Sequence, residues 1–252
     1  MKICLVQYSP IWENIDENIR QIDSLFENFN EKVDLIVFPE LTLTGFTMNS
    51  KAFAEELDGK CTTYFMSLSS KMKTNVIAGL IELDDNRIYN SAVHFQDGLV
   101  MARYRKIHPF SLAGEDKNFS DSRETVITKI GTMNIGLSIC YDLRFPELYR
   151  QYGKRKVDMI IDIANWPIPR IEHWRTLLKA RAIENLCYAI GVNRIGDDPN
   201  VSYNGCSSIF DPTGKEIVCV ENDEKLIVAD LDNDLSKDVQ KKFNFLEDIR
   251  LI

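Results

Sequence analysis

Short apolar runs alternate along the chain with segments whose apolar residues recur every three or four positions. Lys2–Tyr8 (KICLVQY) has the pattern of a buried strand. Ile15, Ile19, Ile22, Leu25, Phe26 and Phe29 follow at helical spacing and predict a helix over 13–29. Val33–Phe38 (VDLIVF) predicts a second strand that runs into Pro39-Glu40. Tyr64, Phe65, Leu68 and Met72 form another helical stripe, and Asn75–Leu83 (NVIAGLIEL) another strand. Tyr89–Phe95 and Leu99–Tyr104 flank Gln96-Asp97-Gly98, the signature of a hairpin. Asn134–Ile139 predicts a strand that delivers Cys140, and Phe145–Tyr152 a helix opening near Pro146. Val157–Ala164 is a strand ending in Asn165-Trp166-Pro167. Ile171, Trp174, Leu178, Ala182 and Leu186 mark a helix, Cys187–Asn193 a strand, and Asp211–Gly214 the turn of a last hairpin.

The two halves of the chain echo each other. VDLIVFPE at 33–40 is matched by VDMIIDIA at 157–164. NVIAGLI at 75–81 is matched by CYAIGVN at 187–193, and YNSAVHFQDG at 89–98 by YNGCSSIFDPTG at 203–214. A spacing of 112 to 124 residues is far too long for a solenoid. It predicts two pseudo-equivalent halves whose sheets pack face to face with helices outside both. Chance similarity of short apolar strands is the competing explanation. No Pro/Ser/Gly-rich linker separates the halves, so the expectation is one domain over 1–235, followed by a charged tail over 236–252.

Composition narrows the function classes. The chain has 252 residues, 27% charged and 44% hydrophobic, enough for a substantial core and unlike a disordered chain. With 30 Lys and Arg against 38 Asp and Glu, the net charge is −8, which disfavours nucleic acid as the main partner. No apolar run reaches the roughly 18 residues of a membrane span, and the N-terminus lacks a signal-peptide pattern. Six cysteines stand at 4, 61, 140, 187, 206 and 219 without any C-x-x-C pair. Reduced thiols in a cytoplasmic protein are therefore the expectation, with neither a disulfide framework nor a zinc knuckle.

Five residues are candidates for chemistry. Cys140 ends an apolar strand before YDLRFPELYR, where backbone N–H groups of the turn can favour a thiolate and hold an oxyanion. Taken alone, a buried structural cysteine is the commoner fate. A nucleophilic cysteine needs a base. Of His94, His108 and His173 only His108 falls in a loop; the alternative is a carboxylate, for which Glu40 at the end of LIVFP stands out. Lys106 in RYRKIHPF is either part of a solvated basic cluster with Arg103 and Arg105 or a fixed ammonium facing negative charge. Glu115 in SLAGEDKNF is either its partner or a surface residue.

FPELTLTGF, RYRKIHPF and ICYDLRFPE together resemble the nitrilase superfamily of carbon–nitrogen hydrolases, over roughly residues 1–235. The resemblance implies an α/β fold, a four-layer αββα sandwich of two mixed sheets with pseudo-twofold halves. It implies Glu40 as general base, Lys106 as transition-state stabiliser, Cys140 as nucleophile and Glu115 as the second glutamate. The backbone N–H of Tyr141 joins Lys106 at the oxyanion. ANWPIPRIEHWRTLLKARAIENLCYAIGVNRIG, GFTMNS and LAGED are similar to the omega-amidase-like branch, whose members hydrolyse the terminal amide of α-keto acid amides such as α-ketoglutaramate and α-ketosuccinamate. Ile107 or Pro109, and Cys206 in NGCSS, depart from that branch. A carboxylate-bearing substrate calls for a cation, with Arg170 favoured and Arg144 alternative; Arg144 could equally pair with Asp142 or Glu147. Trp166 and Phe46 are candidate walls. No cofactor or metal is implied, and the partners implied are a small-molecule amide and a second copy in a homodimer or larger assembly. A nitrilase, an N-carbamoyl amino acid hydrolase, a deaminated glutathione amidase, a His108-dependent hydrolase and a non-catalytic scaffold remain rival readings.

Overall fold

The computed structural model describes residues 1–251. In chain order the elements are β1 (Lys2–Gln7), α1 (Ile15–Phe26), β2 (Leu35–Val37), α2 (Ser50–Phe53), α3 (Lys60–Met72), β3 (Asn75–Asp84), β4 (Arg87–Gln96), β5 (Leu99–Arg105), α4 (Glu115–Asn118), β6 (Ile127–Ile130) and β7 (Met133–Ile139). They continue with α5 (Pro146–Lys154), β8 (Met159–Ala164), α6 (Ile171–Asn185), β9 (Tyr188–Asn193), β10 (Ile195–Asp197), β11 (Ser202–Phe210), β12 (Glu216–Glu221), β13 (Lys225–Asp230) and α7 (Leu235–Lys242). Each segment with an apolar run or stripe forms the predicted element, with ends shifted by a few residues.

The strands form two mixed sheets. The first has the order β13-β1-β2-β3-β4-β5; the second has β10-β11-β9-β8-β7-β6, with β12 also paired to β11. In each, three parallel strands (β1, β2, β3 and β7, β8, β9) are flanked by antiparallel ones. The matched sequence segments fall on β2 and β8, β3 and β9, and β4 and β11, which occupy equivalent places. The likeness reaches hydrogen bonds: Asp34 Oδ2 accepts from Lys2 N, and Asp158 Oδ2 from Asn134 N, both at 2.8 Å. The repeat is therefore structural rather than a coincidence of strand composition.

Strand alternation then builds the layers. Ile3, Leu5, Leu35, Val37 and Ile77 join the core shared with the second sheet, whereas Cys4, Val6, Ile36, Val76 and Ala78 pack with Ile22, Phe26, Phe65 and Leu68 of α1 and α3. Tyr149, Tyr152, Trp174 and Leu178 of α5 and α6 cover the second sheet's other face. The result is helix, sheet, sheet, helix. Beyond residue 235 the chain forms α7 and a short 3-10 turn over Asn244–Asp248 that packs on Leu186, with Ser236 Oγ donating to Asp158 O. Among the described residues, no helix is long and apolar enough to cross a membrane.

Candidate active site

Two turns meet between the sheets. After β2 the chain turns sharply at Glu40-Leu41, with Leu41 at φ +44°. The neighbouring strand must come very close: a Cβ on Gly79 would lie 2.3 Å from Leu41 N, so only glycine fits there. After β7, Cys140 itself stands at φ +50° and opens a 3-10 turn over Cys140–Arg144. A left-handed non-glycine residue costs of order 1–3 kcal/mol and persists only where its surroundings hold it. Two buried acids do so. Asp162 Oδ1 accepts from Cys140 N at 2.8 Å, and Asp142 Oδ2 accepts from Ile139 N at 3.1 Å and from Tyr104 OH at 2.7 Å.

Glu40, Lys106 and Glu115 are brought together and buried. Lys106 Nζ donates to Glu40 Oε1 at 2.8 Å and to Glu115 Oε1 and Oε2 at 3.0 and 2.8 Å. Asn90 Nδ2 donates to both glutamates at 2.8 Å. The other Glu40 oxygen accepts from Asn165 N at 2.9 Å. Burial opposes charge on Lys106, but the two carboxylates outweigh it and hold the ammonium well above its ordinary pKa. Burial raises Glu115, against the pull of Lys106. Burial also pushes the Cys140 thiol up, reinforced by the charge of Glu40 and countered by that of Lys106. No cation among the described residues pairs with Asp162, and burial lifts it to about 8. Ser138 Oγ and Tyr149 OH each donate to Asp162 Oδ2 at 2.7 Å, which holds its pKa down against burial.

Cys140 opens on a cavity of about 360 Å³ whose wall includes Phe46, Tyr141, Arg144, Asn165, Trp166 and Arg170. Both aromatic candidates therefore line it. Arg144 does not pair with Asp142 or Glu147. Its guanidinium lies 4.8 Å from the Trp166 ring centre and 3.2 Å from His173 Nδ1, while Asp142 is taken by Tyr104 and by His108 Nδ1 at 2.7 Å. Arg170 lies 5.6 Å from the Phe110 ring centre. Neither arginine has a carboxylate partner within 4.0 Å among the described residues. Trp166 is fixed by Asn193 Oδ1, which accepts from its backbone N at 2.7 Å, and by its own Nε1 donating to Arg170 O at 2.8 Å. His108 stacks on Phe145 and faces a neighbouring cleft, and His94 is buried against Thr128 and Asn75.

Sequence reasoning gave no site role to Asn90, Asn165 or Asp162, and considered Asp142 only as a partner for Arg144. Asp162 carried a usable signal: an acid inside the apolar run VDMIIDIA is expensive to bury without donors.

The carbon–nitrogen hydrolase family profile matches residues 2–241. A 2-oxoglutaramate amidase of Bacillus subtilis (strain 168) is 31% identical over 252 residues, covering 98% of this chain and 97% of the relative. The omega-amidase YafV of Escherichia coli (strain K12) is 32% identical over 251 residues, covering 98% and 96%. Among solved structures, XC1258 of Xanthomonas campestris, a CN-hydrolase superfamily protein with an arsenic adduct in its active site, superposes with a TM-score of 0.95 at 27% identity, covering 100% of this chain and 98% of that one. With its two stacked mixed sheets, its repeated halves and this family match across nearly its whole length, the chain belongs to the carbon–nitrogen hydrolase family, enzymes of non-peptide C–N bonds.

Proposed function

We propose that the protein is an omega-amidase: it hydrolyses the terminal amide of a small α-keto acid amide, such as 2-oxoglutaramate or α-ketosuccinamate, to the acid and ammonia. The observation that carries this reading is the buried Glu40–Lys106 pair, 2.8 Å apart, beside a strained cysteine in a cavity that holds two arginines without carboxylate partners. The names of the Bacillus and Escherichia relatives support the same substrate class.

Glu40 takes the Cys140 proton as the sulfur attacks the amide carbonyl. Lys106 and the Tyr141 backbone N–H face the oxygen on which negative charge develops. Collapse of the tetrahedral species breaks the C–N bond, and Glu40 returns the proton to the departing ammonia. A water then loses its proton to Glu40 and cleaves the thioester, and Cys140 recovers its proton. Glu115 never needs to touch substrate; it supplies charge that fixes the Lys106 ammonium. Asn165 lines the cavity, and its Oδ1 has no partner among the described residues, an acceptor suited to an amide N–H. Arg170 is assigned the substrate carboxylate, with Arg144 beside the Trp166 wall.

A cytoplasmic homodimer completes the proposal; the six free thiols support a reducing setting, and light scattering checks the assembly. Ammonia release from 2-oxoglutaramate, asparagine, an aliphatic nitrile and an N-carbamoyl amino acid tests the function. The keto acid amide should lead by at least about tenfold in kcat/KM. A lead for the nitrile or the carbamoyl compound would replace this reading with another activity of the same family.

A further inference from the structure

Away from the cavity, the edge strands β11 and β12 bring a second pair of thiols together. Cys206 sits at a bulge in β11 with φ +61°, and its Sγ lies 3.2 Å from Cys219 Sγ on β12. Glu221 Oε1 is 3.8 Å from Cys206 Sγ and 3.9 Å from Cys219 Sγ. Arg175 reaches in from α6, with its Nη1 3.7 Å from Glu221 Oε1 and its Nη2 3.1 Å from Glu216 Oε2. Cys206 is buried, whereas Cys219 is partly exposed.

We propose that Cys206 and Cys219 are a reversible redox pair, which closes a disulfide across β11 and β12 when the protein meets a low-molecular-weight disulfide such as glutathione disulfide. The sulfurs already face each other and need to approach by about 1.2 Å to reach bonding distance. Two sulfurs and a carboxylate could also hold a metal ion. Thiolates on a tetrahedral zinc, however, stand about 3.8 Å apart given bonds of ~2.3 Å. The pair is tighter than that, and the guanidinium beside Glu221 opposes a cation.

The two thiols differ in the way such chemistry requires. The hydrogen bond from Cys206 holds the Cys219 thiol down at about 7, with Arg175 helping against burial. The same bond, followed by burial, raises Cys206. Cys219, the more accessible of the two and the one whose thiol is held down, is thus the attacking thiolate. It attacks one sulfur of glutathione disulfide, forming a mixed disulfide as one glutathione thiolate leaves and is protonated. Cys206 then gives its proton to Glu221 or water and attacks the Cys219 sulfur, releasing the second glutathione. Both thiols together lose two electrons, and one glutathione disulfide becomes two glutathione thiols. The closing bond lies close to the cavity wall, because Cys206 O accepts from Trp174 Nε1 at 2.9 Å and Trp174 packs against Trp166 with ring centres 5.4 Å apart.

The test equilibrates the full chain, in a Cys140→Ala background, with glutathione and glutathione disulfide in graded ratios. Acid quenching, alkylation and peptide mass mapping follow. The expected product is a cross-linked Cys206–Cys219 peptide, lighter by two hydrogen atoms and reversed by excess glutathione. Cys206→Ser should stop at glutathione bound to Cys219, and Cys219→Ser should leave Cys206 free; circular dichroism confirms that both variants fold. A parent chain that keeps both thiols free, or that stops at the mixed disulfide on Cys219, overturns the proposal.

Discussion

Two charge clusters lie next to each other on the chain and have opposite characters. Arg103 and Arg105 point to one face of β5, where Arg103 reaches Glu82 Oε1 at 2.6 Å and Arg105 pairs with Glu82 and Asp84. Tyr104 points the other way, into the core, and Lys106 just beyond the strand is likewise buried, against Glu40 and Glu115. In Arg103-Tyr104-Arg105-Lys106 a run of basic residues is therefore divided by the two-residue period of a strand. The guanidinium side chains of the first cluster stay 38% and 18% exposed, while the Lys106 side chain is 1% exposed and those of its glutamates 0%. The acid of the first cluster, Glu82, is also 0% exposed, but two partly exposed arginines share it, so loss of one leaves the other in place. In the interior a cation between two carboxylates is costly to break, and its charge counters the rise of the Cys140 thiol.

The contrast breaks most visibly in turnover. Lys106→Met should lower kcat/KM by about a thousandfold or more, since the proposed mechanism places this cation at the oxyanion. It should also lower the unfolding free energy by about 3–5 kcal/mol, because Glu40 and Glu115 are left buried together. Steady-state ammonia release and denaturant titration read the two effects; near-normal turnover would move Lys106 into the structural class of Arg103.

Asp162 sharpens the comparison as a buried acid that pairs with no cation among the described residues. Its folded pKa of about 8 lies above the 3.8 of an ordinary aspartate, so between those values the folded state holds a proton that the unfolded state has lost. Stability from this group is complete below pH 3.8 and declines as pH rises, levelling off above about 8. Relative to Asp162→Asn, the parent should lose about 1.4 kcal/mol of unfolding free energy per pH unit across that window. A difference that does not change with pH would show that Asp162 is ionised throughout.

A smaller effect is expected at the two arginines that have no carboxylate partner among the described residues. Arg170→Ala should raise KM for the keto acid amide by about ten- to a hundredfold while leaving a neutral amide nearly unchanged. Equal losses on both substrates would return the carboxylate assignment to Arg144. The least change belongs to the partly exposed cluster, where Arg105 still pairs with Glu82: Arg103→Gln should alter kcat/KM by less than about twofold and stability by about 1 kcal/mol.

Legibility in the sequence followed the same division between local and distant. The strands and helices were readable because each buries a face through its own periodicity, and the halves were readable because VD-plus-apolar segments recur with the same hydrogen bonds. The edge strand β13 was not: Lys225–Asp230 pairs with β1 from the opposite end of the chain, and nothing local marks that partner. Glu40 and Cys140 stand out because they end apolar runs, whereas Lys106 and Glu115 lie in charged stretches and take their roles only from the family motifs. Asn90 and Asn165 were missed because an asparagine within a strand or turn has no charge to make its burial conspicuous, although Asn90 lies in the repeated YN pair. The fate of Arg144 depended on Asp142 being claimed first by Tyr104 and His108, a competition that only three-dimensional proximity decides.

The central claim is that Cys140 becomes covalently acylated by an amide substrate. Incubation with 2-oxoglutaramate, acid quenching within the steady state and peptide mass spectrometry test it directly. The account predicts an adduct on Cys140 with the mass of the substrate less ammonia, absent from a folded Cys140→Ala variant that no longer releases ammonia. Ammonia release by Cys140→Ala at the parental rate, or an adduct confined to another residue, would contradict it.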